Sequence, residues 1–363
     1  MKYKFHTVSS EAWDAMLVAI KVAQKSIYWE CYILLDDTPT HNFFQILKEK
    51  ARQGVRVKII ADAVGSFWLG AKAINELTIA GVEILFFNHL VPWWSADGRI
   101  RRFRHWWFNR NHKKILIIDE EVGFIGGVNI AKQFAHWLDL HVELRGLIVR
   151  GLTRSFAKSY KICGGRDDLL LRMANSKWRI ARKGKLQILE HWPFRRPFLR
   201  KYYLQHLNNA KREITIATPY FIPHWWLVKS LEKASDRGIK IDIILPEKAD
   251  HSVSTWANHI FTLLVKEKIP SINFYFTNQM IHAKILLVDD SEGLIGSNNI
   301  DARSFDYNTE GGLVFQHKNM LSDLKKIIEK WKESSRILIL NKSKKSWQRK
   351  FLEILFTALQ PLL

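Results

Sequence analysis

Two short stretches of this chain carry the same chemistry. His112, Lys114 and Asp119 are followed by Gly126, Gly127 and Asn129, and the same types return at His282, Lys284, Asp289, Gly296, Ser297 and Asn299. Both copies have one residue between His and Lys, four before Asp, six before Gly, then Gly or Ser, one more residue, and Asn. A lone histidine is more often structural than catalytic. Six constrained positions at one spacing, occurring twice in one chain, argue against coincidence.

His and Lys two apart on a strand point to one face, so each copy is predicted to project an imidazole beside an ammonium. The Gly-Gly or Gly-Ser pair after the next strand allows a tight turn with free backbone N–H groups, and the Asn adds an amide donor. Together these form a cradle for an oxyanion, most naturally a phosphate. Two such half-sites over one phosphorus would let the lysines and asparagines neutralise the non-bridging oxygens. One His would attack as nucleophile, and the other would protonate the leaving oxygen and then deprotonate the incoming hydroxyl. Such chemistry needs no cofactor and no metal, and no clustered Cys/His/Asp set has metal-ligand spacing.

The elements that must position these residues also repeat, as befits a duplicated fold. The run from Gln53 to Ala61 resembles that from Arg237 to Leu245, each after a helix-like stretch, 40–52 and 225–236. Gly54 and Gly238 suit the position just past a helix end, and the β-branched runs after them suit strands. Upstream, 26–32 matches 213–220. Each half thus reads strand, helix, strand, which predicts an α/β layer with parallel strands.

The 363 residues suit two domains or one large one, and 47% apolar residues suffice for a core. The net charge of +21 predicts a polyanionic partner: nucleic acid, an anionic membrane or a phosphorylated substrate. Two cysteines exclude a disulfide scaffold and a four-cysteine zinc site, and they fit a reducing compartment. No apolar run reaches the ~18 residues of a spanning helix, and the start has no signal-peptide core. These features predict a soluble or peripheral cytoplasmic protein.

The doubled motif resembles that of the phospholipase D superfamily, whose members act through a phosphohistidine. Three further segments resemble bacterial cardiolipin synthases: Asp301-Ala302-Arg303-Ser304-Phe305 with Asn308-Thr309-Glu310, Thr218 to Pro223, and Trp137 to His141. The resemblance covers most of the chain, in a short form without the N-terminal membrane helices that many such enzymes carry. It implies catalytic roles for His112, Lys114, Asp119, His282, Lys284 and Asp289, and phosphate binding by Asn129, Asn299, Ser297 and Gly127. The family's usual assignment makes the first His the nucleophile, though near-symmetry leaves that open. The family also holds each motif His by an acidic residue on its second nitrogen. By spacing that residue is Glu310, 28 residues after His282, and Asp139, 27 after His112, with Glu143 as fallback. Asp119 and Asp289 end a strand, and holding the neighbouring turn is an equal alternative for them. Gly127 where the second copy has Ser297 is a form common in cardiolipin synthases.

The motif specifies a phosphodiester without naming it. Residues 344–359 have apolar positions at helical spacing with basic residues at the start, as in an interfacial helix. The first half is fourteen residues longer than the second between its repeat Gly and its motif His. The excess falls around 91–107, where Trp93, Trp94, Trp106 and Trp107 accompany Arg99, Arg101, Arg102 and Arg104. A loop entering the headgroup layer, a loop packed on its domain and a nucleic-acid-stacking loop all fit.

The resulting expectation is two α/β/α sandwich halves related by a pseudo-twofold axis with one shared active site. The first spans 1–180, the second 181–340, and a basic amphipathic helix 341–363. The implied function is cardiolipin synthesis from two phosphatidylglycerols, releasing glycerol, by a peripheral enzyme on the cytoplasmic face of the cell membrane. The anionic lipid and the membrane surface are the partners, with no nucleic acid. Phospholipid hydrolysis and, behind it, a nuclease are the alternatives.

Overall fold

The computed structural model describes residues 2–38, 40–88, 108–176, 185–193 and 197–339. Two compact units emerge, one of residues 1–190 with 308–313, the other of 191–307 with 314–363. The sequence places the division at 180. The first unit runs ten residues further and takes back the short segment 308–313, which carries Glu310. The segments 91–107 and 341–363, with their aromatic and basic residues, lie outside the described residues.

The first unit alternates strands and helices: β1 (Lys2–Val8), α1 (Ser9–Val22), β2 (Ser26–Cys31), α2 (Phe43–Arg52), β3 (Arg56–Asp62), α3 (Ala71–Ile79), β4 (Glu83–Phe87), β5 (Ile115–Ile118), β6 (Val122–Gly126), β7 (Leu138–Arg145), α4 (Ile148–Ile162) and α5 (Asp168–Asn175). The sheet order is β1-β7-β6-β5-β2-β3-β4. Strands β2, β3 and β4 are parallel, as the repeat predicts. The motif strand β5 pairs antiparallel with β2, and β6, β7 and β1 continue antiparallel, so the sheet is mixed.

Period-two alternation in β2 divides its side chains between two helical layers. Ile27, Trp29 and Cys31 join the core built on Trp13, Met16 and Ile20 of α1 and Phe43, Phe44 and Leu47 of α2. Tyr28 faces the opposite layer and stacks on Phe156 of α4 at 5.2 Å. The unit is therefore a sandwich with helices on both faces.

After β8 (Leu186–His191), the second unit builds α6 (Phe198–Asn209), β9 (Glu213–Ala217), α7 (Trp225–Asp236), β10 (Lys240–Pro246), α8 (Ser252–Lys268), β11 (Asn273–Thr277), β12 (Ile285–Val288) and β13 (Glu292–Gly296). There follow β14 (Glu310–Phe315), α9 (Lys318–Glu333) and β15 (Ser335–Ile337). Strands β15-β11-β10-β9-β12-β13 lie side by side in that order. The parallel β9–β10–β11 block and the antiparallel β12–β13 hairpin repeat the first unit's design. Gly54 and Gly238 have φ of 88° and 78°, each one residue past a helix cap, as their repeat positions predict.

Candidate active site

In each unit the motif His and Lys precede the strand instead of lying within it. His112 and Lys114 sit in the extended segment before β5, and His282 and Lys284 occupy the same place before β12. All four are buried. Each lysine turns back onto its own motif, Nζ donating to the His carbonyl: Lys114 to His112 O at 2.7 Å, and Lys284 to His282 O. This hydrogen bond fixes the ammonium beside the histidine backbone.

His112 is tied into its unit on both sides. Its N–H donates to Thr309 O at 2.9 Å, and Thr309 N donates to Arg110 O at 2.8 Å. This short parallel bridge brings Glu310 alongside, with both carboxylate oxygens 3.1 Å from His112 Nδ1. A carboxylate at Nδ1 selects the tautomer that carries its proton there, so proton transfer and nucleophilic attack run through Nε2. The sequence assigns Glu310 to His282 by spacing. The structure puts it on His112 because the 308–313 segment belongs to the first unit. Asp139, expected at His112, is buried, and its Oδ1 accepts from Leu140 N at 2.7 Å. Glu143, the fallback, pairs with Arg145 at 3.0 Å.

Tyr32 stands edge-on to the His112 ring at 4.8 Å, with Lys114 Nζ 5.2 Å above its own ring. Burial pulls the Lys114 ammonium down to about 8, against the opposing charges of Glu310, Asp139 and Asp62. Burial likewise pushes the Cys31 thiol up to about 12. That thiol is therefore an inert neighbour and no nucleophile.

The glycine turn differs from expectation. Gly127 N donates to Leu140 O at 3.1 Å, so this N–H is not free for a phosphate. A Cβ on Gly127 would collide with Asp139 Oδ1, with Oδ2 only 3.0 Å away. Glycine is present here to admit the Asp139 carboxylate. In the second unit the corresponding Ser297 is buried, and Gly296 N donates to Lys284 O at 3.1 Å.

The two asparagines also differ. Asn129 Oδ1 accepts from Ile33 N at 3.2 Å, which leaves its NH₂ as the donor for a ligand. In the second unit the N–H of Phe221, the counterpart of Leu34, donates to Asn258 Oδ1 at 2.7 Å, where Leu34 N donates to Ser66 Oγ, and Asn258 donates to Pro219 O at 2.8 Å. Asn299 is held through its backbone, N donating to Ser304 Oγ at 2.9 Å, and its buried Oδ1 has no hydrogen-bond partner among the described residues.

Asp119 and Asp289 serve the fold. Asp119 accepts from the N–H groups of Gln24, Lys25 and Ser26 at 2.6–2.9 Å. Asp289 accepts from those of Lys211, Arg212 and Glu213 at 2.7–3.0 Å. Both have left-handed backbone, φ 54° and 53°. Each lies at the far end of the motif strand, about 23 Å of extended chain from its histidine. These contacts favour the turn-holding alternative over the catalytic one.

Five residues that sequence reasoning missed support the first half-site. Glu30 Oε1 lies 3.0 Å from Lys113 Nζ and accepts from Asn111 Nδ2 at 2.7 Å. Lys113 also donates to Ser159 Oγ at 2.6 Å, and Asp62 Oδ2 accepts from Asn111 N at 2.8 Å. The only sequence signal for them was a carboxylate within an apolar strand run, Glu30 in β2 and Asp62 in β3. The second unit has Ala217 and Ala283 in place of Glu30 and Lys113; Glu30 pairs with Ile115 in its sheet as Ala217 does with Ile285.

Among solved structures, that of phosphatidylserine synthase from Haemophilus influenzae Rd KW20 covers 99% of this chain, with 95% of its own chain matched, at a TM-score of 0.74 and 13% identity. At that identity the likeness concerns the fold. Fold and doubled motif together define a protein of the PLD-like class. The family model described as "Cardiolipin synthase, PLD-like domain" matches residues 16–153 and 203–332. The chain is 31% identical to Cardiolipin synthase 2 of Bacillus anthracis, covering 98% of this chain and 70% of the relative. It is 29% identical to the cardiolipin synthase of Geobacillus kaustophilus, covering 98% and 71%. The chain belongs to the cardiolipin synthase PLD-like family.

Proposed function

We propose that this protein is a cardiolipin synthase, moving a phosphatidyl group from one phosphatidylglycerol to a hydroxyl of another. The observation that carries the reading is a buried imidazole, His112, flanked by the Glu310 carboxylate and the Lys114 ammonium, in a motif that recurs at His282. One histidine attacks phosphorus through Nε2, and the P–O bond to glycerol breaks as the other donates a proton to the leaving oxygen. The second histidine then takes the proton of the acceptor hydroxyl. That oxygen attacks phosphorus, the P–N bond breaks, and the nucleophilic imidazole is restored. Lys114, Lys284, Asn129 and Asn299 stabilise the charge that develops on the non-bridging oxygens. Family membership favours His112 as nucleophile. Its Glu310 carboxylate also favours the imidazolium that attack leaves behind.

The substrate is anionic lipid at a membrane surface, and the protein works as a peripheral enzyme on the cytoplasmic face. Among the described residues no helix is long and apolar enough to cross a membrane. Incubation with headgroup-labelled phosphatidylglycerol in mixed micelles tests the reading. Cardiolipin and labelled glycerol are the expected products, in the presence of a chelator, and their formation is abolished by His112→Ala and by His282→Ala. Phosphatidic acid alone would make the protein a hydrolase. Inert lipid with cleaved single-stranded DNA would make it a nuclease.

A further inference from the structure

The loop after β3 exposes two large aromatic side chains that the fold does not use. Phe67 is 57% and Trp68 81% exposed, and their rings meet edge to face at 5.2 Å. Val64 beside them is exposed as well. Isolated apolar side chains on a surface are ordinary, but a Phe–Trp pair with a valine makes a continuous apolar tip.

The loop beneath this tip is firmly held. Asp62 Oδ1 accepts from Val64 N at 2.9 Å and from Gly65 N at 3.1 Å, and Ser66 N donates to Asp62 O at 2.9 Å. Ser66 Oγ donates to Tyr32 O and accepts from Leu34 N, both at 3.0 Å, and Leu69 is buried in the core. The rings are exposed on a fixed backbone. The same anchors shape the His112 half-site: the other oxygen of Asp62 accepts from Asn111 N, and the Tyr32 ring packs on His112. The tip is thus built directly onto the wall of the candidate active site. In the second unit the segment after β10, its equivalent by repeat, exposes Val253 and Trp256 at 57% and 58%.

We propose that the Phe67–Trp68 tip docks the protein on the surface of an anionic phospholipid bilayer, setting the rings in the headgroup layer close to His112. The proposal rests on the phospholipid reading above. Indole rings favour that layer, and the net charge of +21, with exposed Lys72 just beyond the tip, complements an anionic surface. A protein partner fits less well: a stable interface buries about 800 Å² per side, far more than two rings and a valine supply. A bilayer needs only a few inserted side chains beside charge attraction.

The test is the double substitution Phe67→Ser with Trp68→Ser in the full chain. It is measured by co-sedimentation with phosphatidylglycerol vesicles, by activity on those vesicles, by activity on short-chain monomeric phosphatidylglycerol, and by melting temperature. Vesicle affinity and vesicle activity should each fall about tenfold or more, with monomer activity and melting temperature kept. Undiminished vesicle binding overturns the proposal. So does equal loss on vesicle and monomer with a lowered melting temperature, which would make the rings structural, or a changed oligomeric state with intact vesicle binding. A second probe is Trp68→Cys carrying an environment-sensitive fluorophore, with Cys163→Ser. Its emission should shift to the blue on phosphatidylglycerol vesicles, and an unchanged spectrum refutes insertion. If the wild-type protein fails to turn over any phosphatidylglycerol, the synthase reading falls, while both vesicle measurements still decide the tip.

Discussion

Both oxygens of Glu310 approach His112 Nδ1 at one distance, so the carboxylate acts on this ring whichever oxygen accepts the proton. Replacing it by Gln keeps the volume, removes the charge and permits the wrong tautomer. Glu310→Gln should lower kcat/KM by about 10² or more and move the acidic limb of its pH profile down, since the imidazolium loses its counter-charge. An unmoved limb with normal turnover would assign Glu310 to the fold alone. Lys114 yields a second expectation. Burial holds it at about 8, so it carries its charge below that pH and loses it above. A transition-state clamp of this kind predicts that kcat falls as pH rises through about 8. Lys114→Met should lose about 10²–10³ in kcat with a smaller change in KM, and the basic limb with it. Stability moves the other way. Between about 8 and the ordinary lysine value the unfolded chain holds a proton that the folded one lacks, so stability rises with pH across that window. Denaturant midpoints across the same pH range check it. The motif residues were legible from spacing alone. The partner of His112 was not, because 198 positions separate it from Glu310 and no local period spans such a gap.

The strand ends show what motif spacing conceals. Asp119 and Asp289 stand at fixed distances from the histidines because the motif strand has a fixed length, and each carboxylate gathers three N–H groups of the turn that begins β2 or β9. Burial pushes the Asp289 carboxyl up, but the backbone N–H groups of Glu213, Lys211 and Arg212, with the Arg212 charge, outweigh it and hold it below the ordinary carboxylate range. Its contribution is therefore present above that ordinary value and is lost as pH falls through the lowered one. Asp119→Ala and Asp289→Ala should each cost about 1–3 kcal/mol of stability while kcat per folded molecule stays within about twofold. A variant of unchanged melting temperature and abolished turnover would restore the catalytic assignment. The alternation of strand and helix was readable from the β-branched runs at 55–61 and 239–245 and from the glycines before them. The antiparallel course of β5 and β12 was not, because hydrophobic pattern records which face a residue takes and leaves strand direction unspecified. Nor was the buried Glu30–Lys113 pair, whose residue types describe a surface strand as well as a core one.

For the whole molecule, charge and duplication matter together. An excess of 56 Lys and Arg over 35 Asp and Glu predicts association with anionic vesicles that weakens steeply between about 0.05 M and about 0.5 M salt, where the screening length falls to a few ångströms. Neutral vesicles should show little such dependence. A flat salt response on anionic vesicles would separate the charge from lipid binding. The two halves were visible in the sequence as repeats, but the boundary was not, because the first unit closes with residues 308–313. That segment also governs when His112 acquires its partner during synthesis. A ribosome delivers His112 almost two hundred residues before Glu310. Throughout that interval the growing chain carries His112 without the carboxylate at its Nδ1. A nascent or truncated chain that ends before Glu310 lacks that carboxylate, and by the reading above it should turn over substrate far more slowly than a chain that includes it.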